Sequence, residues 1–222
     1  MIKKGDFVEI EYMGRLKETN EIFDLTNAED AKKNNVYNDK LKYSSKVVCV
    51  GNNILVKGLD EFLEGKECKN YTIELSAEKA FGKKDPKLMK LVSISIFSKQ
   101  NIKPFPGLQV SFDGLIGIVK TVSGGRVIVD FNHPLAGRDV VYDIKIKRVV
   151  NDDKEKINSL LEQMFGKHTD FEFRNKKLTI KREVDNQVKE FIVKNIKDCI
   201  KDTSEVEFVT EIKEKKLVPK NK

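Results

Sequence analysis

Val50-Gly51-Asn52-Asn53-Ile54-Leu55-Val56-Lys57-Gly58-Leu59-Asp60-Glu61-Phe62-Leu63-Glu64-Gly65 is the stretch on which the fold turns. Gly51-Asn52-Asn53 reads as a turn closing the β-branched run from Lys46 to Gly51. Leu59, Phe62 and Leu63 then fall at i, i+3 and i+4, the spacing of one face of a short helix. Gly65 stands where a left-handed cap ends such a helix, and Tyr71 to Leu75 reads as the next strand. Upstream, Val8, Ile10 and Tyr12 alternate with Phe7, Glu9 and Glu11, the period of a half-covered antiparallel strand. Phe23 and Asp24 end a second short run. Thr26 to Lys42 is rich in Asn, Lys and Asp, can bury little, and is expected as a surface loop. The segment therefore reads as short strands with one short helix among them.

Beyond Gly82 the texture changes. Leu88, Met89, Leu91, Val92, Ile94, Ile96 and Phe97 precede Pro104-Phe105-Pro106-Gly107. Val110-Ser111-Phe112, a turn at Asp113-Gly114, Ile116 to Val122, a turn at Gly124-Gly125 and Val127-Ile128-Val129 follow, reading as a small module of short strands and hairpins. Val140 to Ile146 resumes a strand like those of the first segment. From Asn151 the period becomes helical. Asn151 or Asp152 caps a helix with Ile157, Leu160, Leu161, Met164 and Phe165 on one face. Phe171/Phe173 and Leu178/Ile180 alternate about Asn175 as a hairpin. A second helix carries Val188, Phe191, Ile192, Ile196, Cys199 and Ile200 on one stripe, and a last strand alternates Val206, Phe208 and Ile212. The expected organisation is α+β in three parts: 1–83 with 131–150, an inserted unit 84–130, and a C-terminal α+β unit 151–222.

Composition narrows the classes. The 222 residues carry 42 Lys+Arg against 35 Asp+Glu, a net charge of +7. No apolar run approaches the roughly 18 residues of a membrane span. The start, Met1 to Asp6, lacks the apolar core of a signal peptide, so secretion is not expected. Three cysteines, Cys49, Cys68 and Cys199, are odd in number and widely spaced. No disulfide scaffold is expected, and a reducing cytoplasm is the default. The lysine excess in a Glu-rich chain fits heat adaptation. Basic residues are mostly interleaved with acids, as at Lys3-Lys4-Gly5-Asp6 and Lys83-Lys84-Asp85. Only Lys213 to Lys222 is a basic excess, so the charge reads as a solvated surface rather than a phosphate-binding patch.

No catalytic triad, metal-ligand spacing or phosphate loop is present. His133 and His168 have no partner at ligand spacing, so no metal and no cofactor is expected. Gly124-Gly125 opens no helix and cannot cradle a nucleotide. Acidic pairs such as Asp60-Glu61 read as a polar helix face.

What remains is an order of aromatics and glycines: Tyr12-x-Gly14, Phe23-Asp24, Val50-Gly51, Leu55-Val56-Lys57-Gly58-Leu59-Asp60, Leu63-Glu64-Gly65 and Ala80-Phe81-Gly82. This order resembles the FKBP family of peptidyl-prolyl isomerases. The continuation through Asn132-His133-Pro134-Leu135-Ala136-Gly137 and Val140-Val141-Tyr142-Asp143 looks like its SlyD-type branch, in which a chaperone module interrupts the flap. With the C-terminal segment added, the chain resembles an archaeal long-type FKBP. The resemblance implies an antiparallel half-barrel wrapped on a short helix, with a prolyl pocket lined by Tyr12, Phe23, Asp24, Leu55, Val56, Leu59, Phe81 and Tyr142. It also implies that the Val56 N–H fixes the bound peptide. Two positions depart from the family pattern: Leu59 stands where the pocket floor is commonly Trp, and Phe81 where the wall is commonly Tyr. The His- and Cys-rich metal tail frequent in SlyD-type proteins is replaced by Lys and Glu.

The insert is too small to cover all its apolar residues, so Met89, Leu91, Ile94, Ile96, Phe97 and Phe105 are expected to meet unfolded polypeptides. The expected activity is isomerisation of X-Pro bonds in unfolded or partly folded chains, with chaperone binding at the insert. The alternative is a folding holdase without significant isomerase activity. Val110 to Phe131 also has the look of a small KOW- or SH3-like barrel, but Lys120 and Arg126 are too few for nucleic acid. Neither nucleic acid nor membrane is an expected partner. A homodimer could form through the stripe Val188 to Ile200 or the strand Val206 to Ile212.

Overall fold

The computed structural model describes residues 1–112 and 114–209. The expected turn residue Asp113, Ile212 of the last strand and the basic tail lie outside them.

The first sheet is built from β1 (Phe7–Leu16), β2 (Ile22–Leu25), β3 (Lys46–Cys49), β4 (Asn70–Leu75) and β9 (Val140–Val150), all antiparallel, in the order β2-β1-β9-β4 with β3 also on β1. β1 pairs along its whole length with β9, while β2 takes Met13 to Arg15 and β3 takes Phe7 to Ile10. The half-barrel closes on α2 (Lys57–Leu63), whose Leu59 and Leu63 are buried against Val8, Ile10, Val140, Tyr142, Ile144 and Ile146. Gly65 takes the expected positive φ, but its N–H donates to Ile2 O (2.8 Å) rather than to the helix, tying the N-terminus to the helix end. The expected loop 26–42 contains a short helix, α1 (Ala28–Lys33). Asn27 caps it by accepting the N–H groups of Glu29 and Asp30, and Ala31 is its one buried residue. A local cap, with almost no apolar stripe, suffices for one turn and a half.

The insert forms its own antiparallel sheet, β5 (Met89–Ser93), β8 (Arg126–Asp130), β7 (Leu115–Ser123) and β6 (Gln109–Phe112) in spatial order. Gly124 and Gly125, both at positive φ, make the tight β7–β8 turn. The expectation of strands alone needs correction: Ile94–Lys99 is a helix, α3, started by Ser93 accepting Ser95 N–H. Ile94 and Phe97, three apart, share its inner face, and a run this short satisfies helix and strand spacing alike. Phe97, Val110, Val119, Val127 and Val129 form the core, and Phe131, one residue past the expected boundary, packs on it.

The C-terminal unit comprises α4 (Asp153–Phe165), β10 (Phe171–Arg174), β11 (Lys177–Ile180), α5 (Asn186–Cys199) and β12 (Glu205–Phe208). β10 is antiparallel and β12 parallel to β11. Asp152 caps α4 by accepting Glu155 N–H, and Gly166 ends it in the left-handed conformation. Its core of Ile157, Leu160, Leu161, Leu178, Ile180, Ile192 and Ile196 includes Phe7, Cys49 and Val150 from the first sheet. That is why Phe7, on the same side of β1 as Glu9 and Glu11, is nevertheless buried. Cys49 and Cys199, remote in sequence, are neighbours in this core. Gln163 Nε2 donates to Val47 O (2.7 Å), and Arg148 joins Glu9 to Glu155. The stripe on α5 is not wholly covered: Ile192, Ile196 and Cys199 are buried, whereas Val188 and Phe191 face solvent.

Ending the chain after Val150 should therefore uncover Phe7, Cys49 and Val150 together. Burial of a side chain such as Phe7 contributes roughly 1.5–3 kcal/mol. The shortened form is expected to unfold at lower urea and to self-associate at concentrations where the full chain does not. A midpoint equal to that of the full chain's first transition would show that the C-terminal unit is not part of this core's stability.

Candidate active site

The geometry where β1, β2 and β9 meet begins with a missing side chain. Gly14 on β1 faces Asp24 on β2 and Tyr142 on β9. A Cβ there would lie 2.7 Å from Phe23 Cζ and 2.8 Å from Tyr142 Cε1, so the two rings meet only because residue 14 is glycine. Phe23 stands edge-on to Tyr142 (centroids 5.8 Å) and to Phe81 (5.6 Å), and Tyr12 edge-on to Tyr142 (5.9 Å). Such edge-to-face contacts contribute about 0.5–1.5 kcal/mol each beyond area. Leu59 and Tyr142 are buried, and Tyr12, Phe23, Leu55, Val56 and Phe81 are partly exposed around them. The exposed Asp24 accepts the Tyr12 hydroxyl (2.8 Å). Of the eight residues expected from sequence, Tyr12, Phe23, Phe81 and Tyr142 are joined by ring contacts and Asp24 by the Tyr12 hydroxyl, while Leu55, Val56 and Leu59 belong to the same hydrophobic core.

The helix entry is fixed by a group the sequence reading left on a polar face. Asp60 is buried, and its carboxylate accepts the N–H groups of Gly51 (2.8 Å) and Asn53 (3.0 Å). It holds the turn that delivers Leu55 and Val56 to the cluster. Spacing alone could not show this, because Asp60 adjoins the buried Leu59 without sharing its chemistry. Val56 caps α2 with its carbonyl, which accepts from Leu59 and Asp60, and its own N–H has no partner among the described residues. Burial pushes the Tyr12 phenol up, and the neighbouring Asp24 carboxylate adds to it; the Tyr142 phenol is raised by burial and by Asp24 in the same way. Both stay neutral hydroxyls at any physiological pH. The two phenols therefore act as hydrogen-bonding hydroxyls and apolar rings rather than as proton donors to a reaction.

His133, which had no role in the sequence reading, lies flat on Phe81 (4.7 Å, 3°). Its Nδ1 accepts Leu135 N–H (3.2 Å). Among the described residues no group of three or more His, Cys, Asp or Glu is placed to hold a metal ion, and no helix is long and apolar enough to cross a membrane.

On the insert, Met89, Leu91, Ile96 and Phe105 are exposed, Leu91 to 61%, and Ile94 is half-buried. Phe97 corrects the expectation: it is 1% exposed, because helix α3 turns it inward onto Val119, Val127 and Val129, edge-on to Phe112. Leu88, Leu115 and Ile116 join the exposed set. The last two were detectable as consecutive apolar residues at a hairpin end. Leu88, Leu91, Ile96, Phe112, Leu115 and Phe131 line a mostly apolar depression.

Replacing Gly14→Ala should force Phe23 and Tyr142 apart, at about 1–3 kcal/mol for overpacking. The expected result is a lower thermal midpoint together with altered near-ultraviolet circular dichroism of the aromatic cluster. An unchanged aromatic spectrum would mean that the rings do not depend on this contact.

Comparison with known proteins places this geometry. Residues 90–135 match the family model described as FKBP26, IF domain. The chain is 30% identical over 150 residues to the short-type peptidyl-prolyl cis-trans isomerase of Methanocaldococcus jannaschii, covering 67% of this chain and 94% of that protein. It is 35% identical over 103 residues to a probable FKBP-type 16 kDa peptidyl-prolyl cis-trans isomerase of Pseudomonas fluorescens, covering 44% of this chain and 67% of the relative. Against the FKBP-type isomerase SlyD of Vibrio cholerae the identity is 30% over 105 residues, 45% of this chain and 51% of the relative. An antiparallel half-barrel closed on a short helix, an aromatic cluster at its mouth, an IF-type insert after Gly82 and these relatives agree: the chain belongs to the FKBP-type peptidyl-prolyl cis-trans isomerases.

Proposed function

We propose that this protein accelerates cis–trans exchange of X-Pro bonds in unfolded or partly folded polypeptides, at the cluster of Tyr12, Phe23, Asp24, Leu55, Val56, Leu59, Phe81 and Tyr142. The observation that carries the reading is this arrangement of partly exposed rings, with a Val56 N–H in the same core that has no partner among the described residues. Rotation about a peptide bond must cross about 18–20 kcal/mol because the planar amide is resonance-stabilised. Near the top of the barrier that resonance is lost and the amide is less dipolar, so an apolar surface favours the twisted form over the planar one. Only such differential binding accelerates the step. The Val56 N–H would hold a substrate carbonyl in register, and the prolyl ring would rest over Leu59 and against Phe23 and Tyr142. Asp24, held by the Tyr12 hydroxyl, orients dipoles beside the rotating amide. Leu59 gives a smaller floor than an indole, and Phe81 supplies a wall without a hydroxyl, so the cleft depends more on shape than on hydrogen bonding.

We assign client capture to the insert, 84–130, through Met89, Leu91, Ile96 and Phe105 with Leu88 and Leu115, and the isomerase step to 1–83 with 131–150. Residues 151–222 form the third unit. Val188 and Phe191, left bare on α5, support a homodimer contact there. The exposed apolar set on the insert also favours a second reading, a holdase that shields clients without turnover.

Phe23→Ala with Asp24→Ala should lower kcat/KM on a short X-Pro peptide by more than about tenfold. Unchanged turnover would move the site elsewhere and leave the holdase reading. Leu91→Ser with Ile96→Ser should leave peptide turnover intact while weakening catalysis of proline-limited protein refolding. Equal loss on both substrates would end the assignment of clients to the insert. Phe191→Lys should shift sedimentation to that of a monomer if α5 carries the dimer contact; a monomeric parent chain would dismiss that contact.

A further inference from the structure

The chain passes between the first sheet and the insert twice, outward over 82–88 and back over 130–137. The two passages are joined at one side chain. Asn132 Oδ1 accepts Asp85 N–H (2.8 Å), and Asn132 Nδ2 donates to Asp85 O (3.1 Å), so the amide pairs both backbone groups of one residue as a neighbouring strand would. Asn132 Nδ2 and N–H also both donate to Asp130 Oδ1 (2.8 and 2.9 Å). Asp130 is 6% exposed, and its other oxygen faces the ammonium groups of Lys84 (3.7 Å) and Lys120 (4.0 Å). Outward passage, return passage and insert sheet thus meet at one carboxylate and one amide. On either side the passages are also held by backbone bonds, Phe131 N–H to Leu88 O (3.0 Å) and Gly137 N–H to Gly82 O (2.8 Å).

The next residue carries the arrangement into the candidate site. His133 lies on Phe81, and its Nδ1 is occupied as an acceptor, so in the neutral ring Nε2 bears the proton. Phe81 has no hydroxyl with which to anchor itself. Its edge contact to Phe23 and its stack on His133 are the ring contacts that set its position.

We propose that Asn132 is a positioning residue of the isomerase site: by pairing the backbone of Asp85 it latches the two passages, and so fixes both the insert's pose and the His133 ring that backs Phe81. The proposal rests on the isomerase reading above. A primary amide offers a donor and an acceptor on two separate atoms of one short arm, so it can serve both backbone groups of Asp85 at once, whereas a hydroxyl has a single oxygen for both. A carboxylate at this position could accept from Asp85 N–H but not donate to Asp85 O, and it would face Asp130. An opened latch lets the insert swing and lets Phe81 leave its place at the cleft wall.

The test uses the full chain with Asn132→Ala and Asn132→Ser, and Asp85→Ala as a control that removes the side chain's bond from Lys87 N–H (2.8 Å) but spares both backbone partners of Asn132. Asn132→Ala should raise amide hydrogen exchange at Asp85 and Leu135 by about tenfold or more if the latch opens locally. It should raise KM for a short X-Pro peptide about three- to tenfold with kcat nearly unchanged, since the wall is displaced rather than removed. Catalysis of protein refolding should fall by a larger factor, and Asn132→Ser should follow in weaker form. Asp85→Ala should stay within about twofold of the parent in every readout. Unchanged exchange at Asp85, faster exchange with unchanged KM, or equal damage from Asp85→Ala would each overturn the proposal. Absence of turnover in the unaltered chain would instead overturn the isomerase reading, and exchange at Leu135 alone would then decide whether the latch reaches His133.

Discussion

The structure depends on one long-range pairing, that of β9 with β1. β9 lies between β1 and β4, and each of its residues from Val140 to Lys145 has a register partner on both sides. Yet it is reached only after the chain has left the sheet at Leu75 and built the whole insert. Leu75 and Val140 are direct partners, so the ends of the insert are brought together by the sheet itself. A closed pair of ends explains how a second unit can be placed inside a half-barrel without opening it. It also means that the central strand is paired late, through non-local contacts of the kind that slow folding.

The same strand carries the cleft. Tyr142 sits on β9 opposite Gly14 and Ile73. The sheet must therefore be complete before the rings of Phe23, Tyr142 and Tyr12 can meet, and the site is a product of closure rather than of a local motif. Asp130 stands where the insert hands the chain back. Burial alone would raise its carboxyl, but the two Asn132 donors and the ammonium groups of Lys84 and Lys120 outweigh this and hold it below the usual carboxylate range. A depressed folded-state value contributes stability that is complete above the unfolded carboxyl's range and is lost as pH falls through the folded one. Neutral pH thus keeps the junction tight, and only acid would loosen it.

What could be read from the residues follows from period and chemistry. The alternation of Val8, Ile10 and Tyr12 and the helical spacing of Leu59, Phe62 and Leu63 are set by which face meets the core, so they located the sheet and its helix. The residues of the cluster were legible through the order of Tyr12-x-Gly14, Phe23-Asp24 and Leu55-Val56. Where a feature depends on what covers it, sequence failed. Phe97 turns inward because α3 is a helix, and a run from Met89 to Lys99 does not declare where strand gives way to helix. Phe191, read as part of the same stripe as Ile192 and Ile196, is left 62% exposed, and which side of a helix is covered is decided by its neighbours rather than by spacing. Asp60 is polar and its partners are backbone N–H groups, and Asn132 bridges to the backbone of Asp85, groups with no signature of their own in a sequence.

The two departures at the cleft, Leu59 and Phe81, are of one kind, since both exchange a hydrogen-bonding aromatic for a purely apolar side chain. A reaction that needed a proton relay or a fixed oxyanion donor could not absorb both. A bond rotation can, because the barrier reflects amide resonance and solvation, and an apolar wall acts on both. What such a wall does need is a fixed position. Leu59 has one, buried between helix and sheet. Phe81 stands at the exposed rim without a hydroxyl to tether it, and there the imidazole of His133 does by stacking what a hydrogen bond would otherwise do. Loss of polarity in the cleft and gain of order at its edge are then two sides of the same design, in which the insert's return passage adds, through His133, to the support that Phe23 gives Phe81.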